Sequence, residues 1–68
     1  MKVEYLQEFI VLADYLNFSS AAEHLYITQP VLSRHIFKLE SHLGVKLLKR
    51  DTHSVSLTED GYFFREEI

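Results

Sequence analysis

Between Phe18 and Gly44 the chain reads as two helices joined by a turn of about two residues, and no other stretch limits the fold as tightly. Ser19 or Ser20 is placed to cap the first helix, which runs through Leu25, and Glu23 follows Ser20 at the capping-box spacing. Tyr26 and Ile27 form the turn. Thr28 caps the second helix, Pro30 occupies its first turn where a missing N–H costs little, and Gly44 ends it. Along that helix Leu32, Ile36, Leu39 and Leu43 fall on one stripe. At about 100° per residue Arg34 lies nearly opposite the stripe, with Pro30, Lys38 and Ser41 beside it and Ser33 and Phe37 on one flank. A helix so divided buries one side and offers a cationic side to a polyanion, as the second helix of a helix-turn-helix does in the DNA major groove.

The overall charge of −3 points away from nucleic acid until its distribution is considered. Residues 28–50 hold Arg34, Lys38, Lys46, Lys49 and Arg50 against Glu40 alone, a local net of +4. Elsewhere nine acids face only Lys2 and Arg65. Surface potential follows local placement, so the segment is a basic patch on an acidic chain.

Sixty-eight residues make one domain, and 47% hydrophobic content suffices for a compact core. Zero cysteines exclude disulfides and thiolate metal sites and fit a reducing, cytoplasmic setting. The start MKVEYLQEF lacks the charge layout and apolar core of a signal peptide, and no apolar run nears membrane-spanning length.

Ahead of the paired helices, Glu4 to about Leu16 reads as a helix with Leu6, Phe9, Ile10, Ala13 and Leu16 on one face and Asn17 as its stop. Tyr5, Val11 and Tyr15 lie off that face and offer a surface to a further helix. After Gly44 the period changes. Val45 to Arg50 and Ser54 to Leu57 read as short strands joined by Asp51, Thr52 and His53, forming a β-hairpin wing. Thr58 then caps a fourth helix carrying Tyr62, Phe63 and Phe64, with Glu59 and Asp60 near its positive end. The expected fold is mainly α, a winged helix-turn-helix, with a core of Leu6, Phe9, Ile10, Ala22, Leu25, Leu32, Ile36, Leu39 and Leu57.

Other chemistries find little purchase. His35 and His42 stand seven residues apart on one helix, roughly 10 Å, too far for one ion, and no Cys or HExxH pattern assists them. His35 flanks the outward face, within reach of a phosphate. No nucleophile elbow or Gly-rich phosphate loop exists, and so small a domain offers little room for a substrate pocket, so the expectation is a non-enzyme without cofactor or metal.

At this point the chain resembles the N-terminal DNA-binding domain of LysR-type transcriptional regulators. The matching residues are Leu6, Phe9, Phe18, Ala21, Ala22, Leu25, Gln29 and Pro30, then Ser33, Ile36, Leu39, Glu40, Leu43, Gly44, Leu47 and Arg50, and finally Val55, Leu57, Thr58 and Gly61. The resemblance covers nearly the whole chain. It implies that the third helix enters the major groove and the wing touches the flanking backbone or minor groove. It also implies a homodimer through a long helix after the wing, higher oligomers being open to the full-length protein, and a C-terminal domain, absent here, that senses a small effector. The chain departs from the family pattern at Leu48, where Phe is frequent, at His53, where Arg is frequent, at Asp60, where a small residue is common, and at Asn17, where Gly or a small polar residue is common.

The domain reading is a winged helix-turn-helix over 1–58 and the truncated start of a dimerisation helix over 59–68. Base contacts are expected from Arg34, which pairs bidentately with guanine, and from Gln29, Ser33 and Pro30. Thr28, Lys38, Lys49, Arg50 and His53 are expected on the backbone, setting affinity and salt dependence. The partner is double-stranded DNA carrying an interrupted palindrome, because a two-fold dimer asks for a two-fold site. The competing reading is a winged helix that serves as a protein-interaction module, kept alive by the acidic remainder of the chain.

Overall fold

Every helix leaves amides unpaired at one end and carbonyls at the other, and the side chains that take them up set the boundaries here. The computed structural model describes residues 2–51 and 54–67. Its elements are α1 (Val3–Tyr15), α2 (Phe18–Leu25), α3 (Gln29–Leu43), β1 (Leu48–Arg50), β2 (Val55–Leu57) and α4 (Glu59–Glu67). The expected winged helix-turn-helix is what the chain forms.

The first helix stops at Leu16, one residue before the expected Asn17. Leu16 turns left-handed at φ 50° while its amide reaches the Leu12 carbonyl at 2.7 Å. Asn17 instead begins α2: its Oδ1 accepts the Ser20 amide at 2.9 Å from an extended backbone. The expected Ser19 or Ser20 cap is therefore overturned. A short amide side chain satisfies the orphan donor from one turn earlier, so the helix starts at Phe18, and Ser20 is the donor in the cap rather than its acceptor. The capping box with Glu23 falls with it.

The turn between α2 and α3 follows expectation. Tyr26 adopts φ 58° and the Ile27 amide reaches back to the Ala22 carbonyl at 3.0 Å, a Schellman-type closure. Thr28 Oγ1 accepts the Val31 amide at 3.3 Å, Pro30 sits in the first turn of α3, and Gly44 ends that helix at φ 76°.

The strands are shorter than the expected 45–50 and 54–57. Leu47 and Leu48 present their amides to the Glu40 carboxylate, at 2.7 and 3.3 Å, so the segment after Gly44 is tied to α3 before it can pair as a strand. Pairing begins with Leu48 opposite Leu57 and continues through Lys49–Ser56 and Arg50–Val55, antiparallel. Ser54 belongs to the turn, where its amide donates to Asp51 Oδ1 at 2.8 Å. The expected loop residues Thr52 and His53 lie outside the described residues. Thr58 locks the exit by donating to the Lys46 carbonyl at 2.6 Å and accepting the Gly61 amide at 2.9 Å, which makes it the expected cap of α4.

The core joins α1, α2, α3 and the base of the hairpin. Its largest fully buried side chains are Phe9, Leu12, Leu32, Ile36, Leu39 and Leu47, each contributing about 1.5–3 kcal/mol. Ala22 and Leu57 are also buried as expected, whereas Leu6, Ile10 and Leu25 are only partly covered. Leu12, Ala13, Phe18, Ala21, Leu47 and Leu48 are buried beyond the expected list. Leu12 was missed because α1 packs against α2 as well as α3, which widens its buried face beyond one stripe.

Candidate nucleic-acid interface

The buried stripe of Leu32, Ile36 and Leu39 faces the core, and helical geometry then turns Arg34 outward. Arg34 is exposed, and among the described residues it has no hydrogen bond or ion pair. An open groove runs between α3 and the wing, lined by Pro30, Ser33, Arg34, Phe37, Lys46, Lys49 and Arg50. The structure thus brings together three of the four expected base-reading residues and two of the expected backbone residues.

The others sit around the groove. Gln29 borders a neighbouring hollow with Ser19 and Asp51, and its Oε1 accepts the Ser19 hydroxyl at 3.2 Å. Thr28 is exposed, with its hydroxyl committed to the α3 cap. Lys38 lies on the far flank of α3, in a hollow shared with Lys2, Tyr5 and His42. His53 lies outside the described residues.

Charge on the ridge is nearly all of one sign at its surface. Glu40, its single acid, is partly buried and spends its carboxylate on the Leu47 and Leu48 amides. Lys46 stands 5.9 Å from the Phe37 ring centroid, a cation–π distance at a ring that is 60% exposed. Neither residue was assigned a role from sequence, although the helical step had already placed Phe37 on the flank of α3.

Arg50 is exposed like Lys49, but its guanidinium is held by the protein. Its guanidinium carbon sits 4.0 Å from the centroid of the buried Phe18 ring, and Nη2 donates to Ser33 Oγ at 3.0 Å. His35, expected at the edge of the outward face near phosphate, is turned away. It stacks on Tyr5 with ring centroids 4.4 Å apart, and Nδ1 lies 2.8 Å from Glu8 Oε1. One residue past Arg34 the helix has rotated far enough for α1 to claim the ring. Tyr5 is therefore a partner of α3 rather than a free surface. Among the described residues no three His, Cys, Asp or Glu converge as a metal site, and no helix is long and apolar enough to cross a membrane.

Proteins of similar sequence are regulators of transcription. The chain is 49% identical over 67 residues to the HTH-type transcriptional regulator CatR of Pseudomonas putida, covering 98% of this chain and 23% of that protein. It is 47% identical over 64 residues to AlsR of Bacillus subtilis (strain 168), covering 94% of this chain and 21% of that one. It thus spans less than a quarter of the length of these relatives. Among solved structures, the BenM DNA-binding domain in complex with catB site 1 DNA superposes with a TM-score of 0.93 at 39% identity, covering 98% of this chain and 74% of that one. The CbnR DNA-binding domain–DNA complex superposes with a TM-score of 0.93 at 37% identity, covering 98% and 77%. Residues 3–62 match the model of the bacterial regulatory helix-turn-helix proteins of the lysR family, and with the fold, the ridge and the spacings in agreement the chain belongs to that family.

Proposed function

We propose that this chain binds double-stranded DNA sequence-specifically, with α3 in the major groove and the wing against the flanking backbone or minor groove. The observation that carries the reading is Arg34: exposed, without a partner among the described residues, and bordering a groove shared with Lys46 and Lys49. A guanidinium held that way meets a guanine edge with two donors. The DNA complexes of the BenM and CbnR DNA-binding domains, which share this fold, support DNA as the partner. Gln29, Pro30, Ser33 and Arg34 would face bases, and Thr28, Lys38 and Lys49 phosphates. Arg50, read from sequence as a backbone contact, here lays its guanidinium on Phe18 and Ser33, and His53, read likewise, lies outside the described residues.

Residues 1–58 act as the binding domain in this reading, and 59–68 begin a helix through which a homodimer forms. Tyr62 and Phe63 support the second point, being 55% and 58% exposed on α4 while Phe64 packs inward. A dimer would take an interrupted palindrome, and response to a small effector would belong to a further domain. The regulator works in the cytoplasm and carries no catalysis of its own.

A salt titration of binding to a random pool of double-stranded DNA tests the reading. Contacts with phosphates give a log–log slope of about −0.9 for each one neutralised. A flat response would instead favour a protein partner for the same ridge.

A further inference from the structure

Strand alternation separates the two wing cations. Leu48 is buried while Lys49 and Arg50 are both exposed, and the alternation of the paired strand places Arg50 on the same side as Leu48. The guanidinium is then caught between the Phe18 face at 4.0 Å and the Ser33 hydroxyl at 3.0 Å, so it joins the N-terminal end of α2, the second turn of α3 and the wing. From this we infer that Arg50 is a positioning residue, one that holds a lone pair of the Ser33 hydroxyl so that Ser33 meets DNA as a hydrogen-bond donor. The inference rests on the DNA-binding reading above and gives that face a chemical polarity.

A serine hydroxyl has one proton to give and two lone pairs to receive with, and left free it rotates to suit either kind of base edge. A cationic donor on one lone pair draws charge from the oxygen, which weakens the second lone pair as an acceptor and strengthens the O–H as a donor. Among the described residues nothing accepts the Ser33 proton, so it is available to a base. In the major groove, purine N7, guanine O6 and thymine O4 accept, whereas cytosine presents an amino donor. Ser33 therefore selects against cytosine on the strand it touches. Gln29 leans the same way, since Ser19 donates to its carbonyl while its amide N–H groups take no partner among the described residues. The face made by Gln29, Ser33 and Arg34 is thus a face of donors.

The experiment is selection of bound sequences from a random double-stranded DNA pool by this chain and by its Ser33→Ala and Arg50→Gln variants, followed by salt titration on the preferred sequence. The expected result is one position per half-site depleted in cytosine, by roughly two- to tenfold, the worth of one hydrogen bond. That depletion is lost in both variants, and Arg50→Gln keeps the salt slope of the parent. If Arg50→Gln instead lowers the slope by about one phosphate with base preference intact, Arg50 is a clamp and the inference is overturned. Should Arg50→Gln fail to fold by circular dichroism, Ser33→Ala decides, because depletion that survives it also overturns the inference. Enrichment without any cytosine-poor position refutes this assignment alone, while a pool from which nothing is enriched refutes the DNA-binding reading beneath it.

Discussion

The Glu40 carboxylate receives the amides of Leu47 and Leu48, at 2.7 and 3.3 Å, and so fastens the last turn of the recognition helix to the first strand of the wing. A ligand that engages both helix and wing needs them at a set distance, and this one side chain supplies the tie. It also withdraws the ridge's single negative charge from its exposed face. Glu40→Ala orphans two amides, one of them on the fully buried Leu47. The expected loss is about 1.5–3 kcal/mol, as for hydrogen bonds to a charged acceptor. Glu40→Gln keeps an acceptor and should lose less than half of that. Urea unfolding of the three proteins checks the order, and equal stability of parent and Glu40→Ala would refute the role.

Gly61 tests how closely α4 rests on the hairpin. A β-carbon there would be driven into the Leu47 carbonyl oxygen and would press on Leu57 Cβ at 3.3 Å. Alanine gains about 0.8–1 kcal/mol of helix propensity over glycine, but overpacking against an immovable backbone costs about 1–3 kcal/mol. The clash should win, so Gly61→Ala lowers the melting temperature, by several degrees since about 1 kcal/mol moves a domain of this size by roughly 4–8 °C. A rise in melting temperature would show that α4 is free to shift.

Asn17 and Ser20 separate the cap that forms from the one first expected. Asn17→Ala should cost about 1 kcal/mol, the usual loss of an N-cap. Ser20 contributes only its backbone amide to the cap, so Ser20→Ala should stay within about 0.5 kcal/mol of the parent. Thermal melts of the two variants measure the difference, and a larger loss from Ser20→Ala would restore the serine as the cap.

Arg34→Ala should separate binding from folding. The side chain is exposed and unpartnered among the described residues, so stability should change by less than about 0.5 kcal/mol. Affinity for a selected DNA sequence should fall by about 1–3 kcal/mol, with guanine preference relaxed at one position. Gel shifts with matched and substituted sequences provide the measurement. An affinity loss equal for every sequence would make Arg34 a phosphate contact instead.

Much of this molecule was determined by interactions that reach no further than one or two helical turns. Leu32, Ile36 and Leu39 recur at the helical period, Thr28 precedes Pro30 at capping distance, and Gly44 alone tolerates the left-handed exit at little cost. Such local preferences are written in the order of residues, and the direction of Arg34 followed from them. The tertiary structure decided what depends on neighbours far along the chain. Glu8 lies 27 residues from His35 and still draws that ring off the outward face, and Ser33 lies 17 residues from Arg50 and receives its guanidinium. Glu40 and Gly61 look unremarkable until the Leu47 backbone comes to rest beside both. The physical reason is that a hydrogen bond or a steric contact is set by distance in space, while the pattern of residues specifies only angle and spacing along each element.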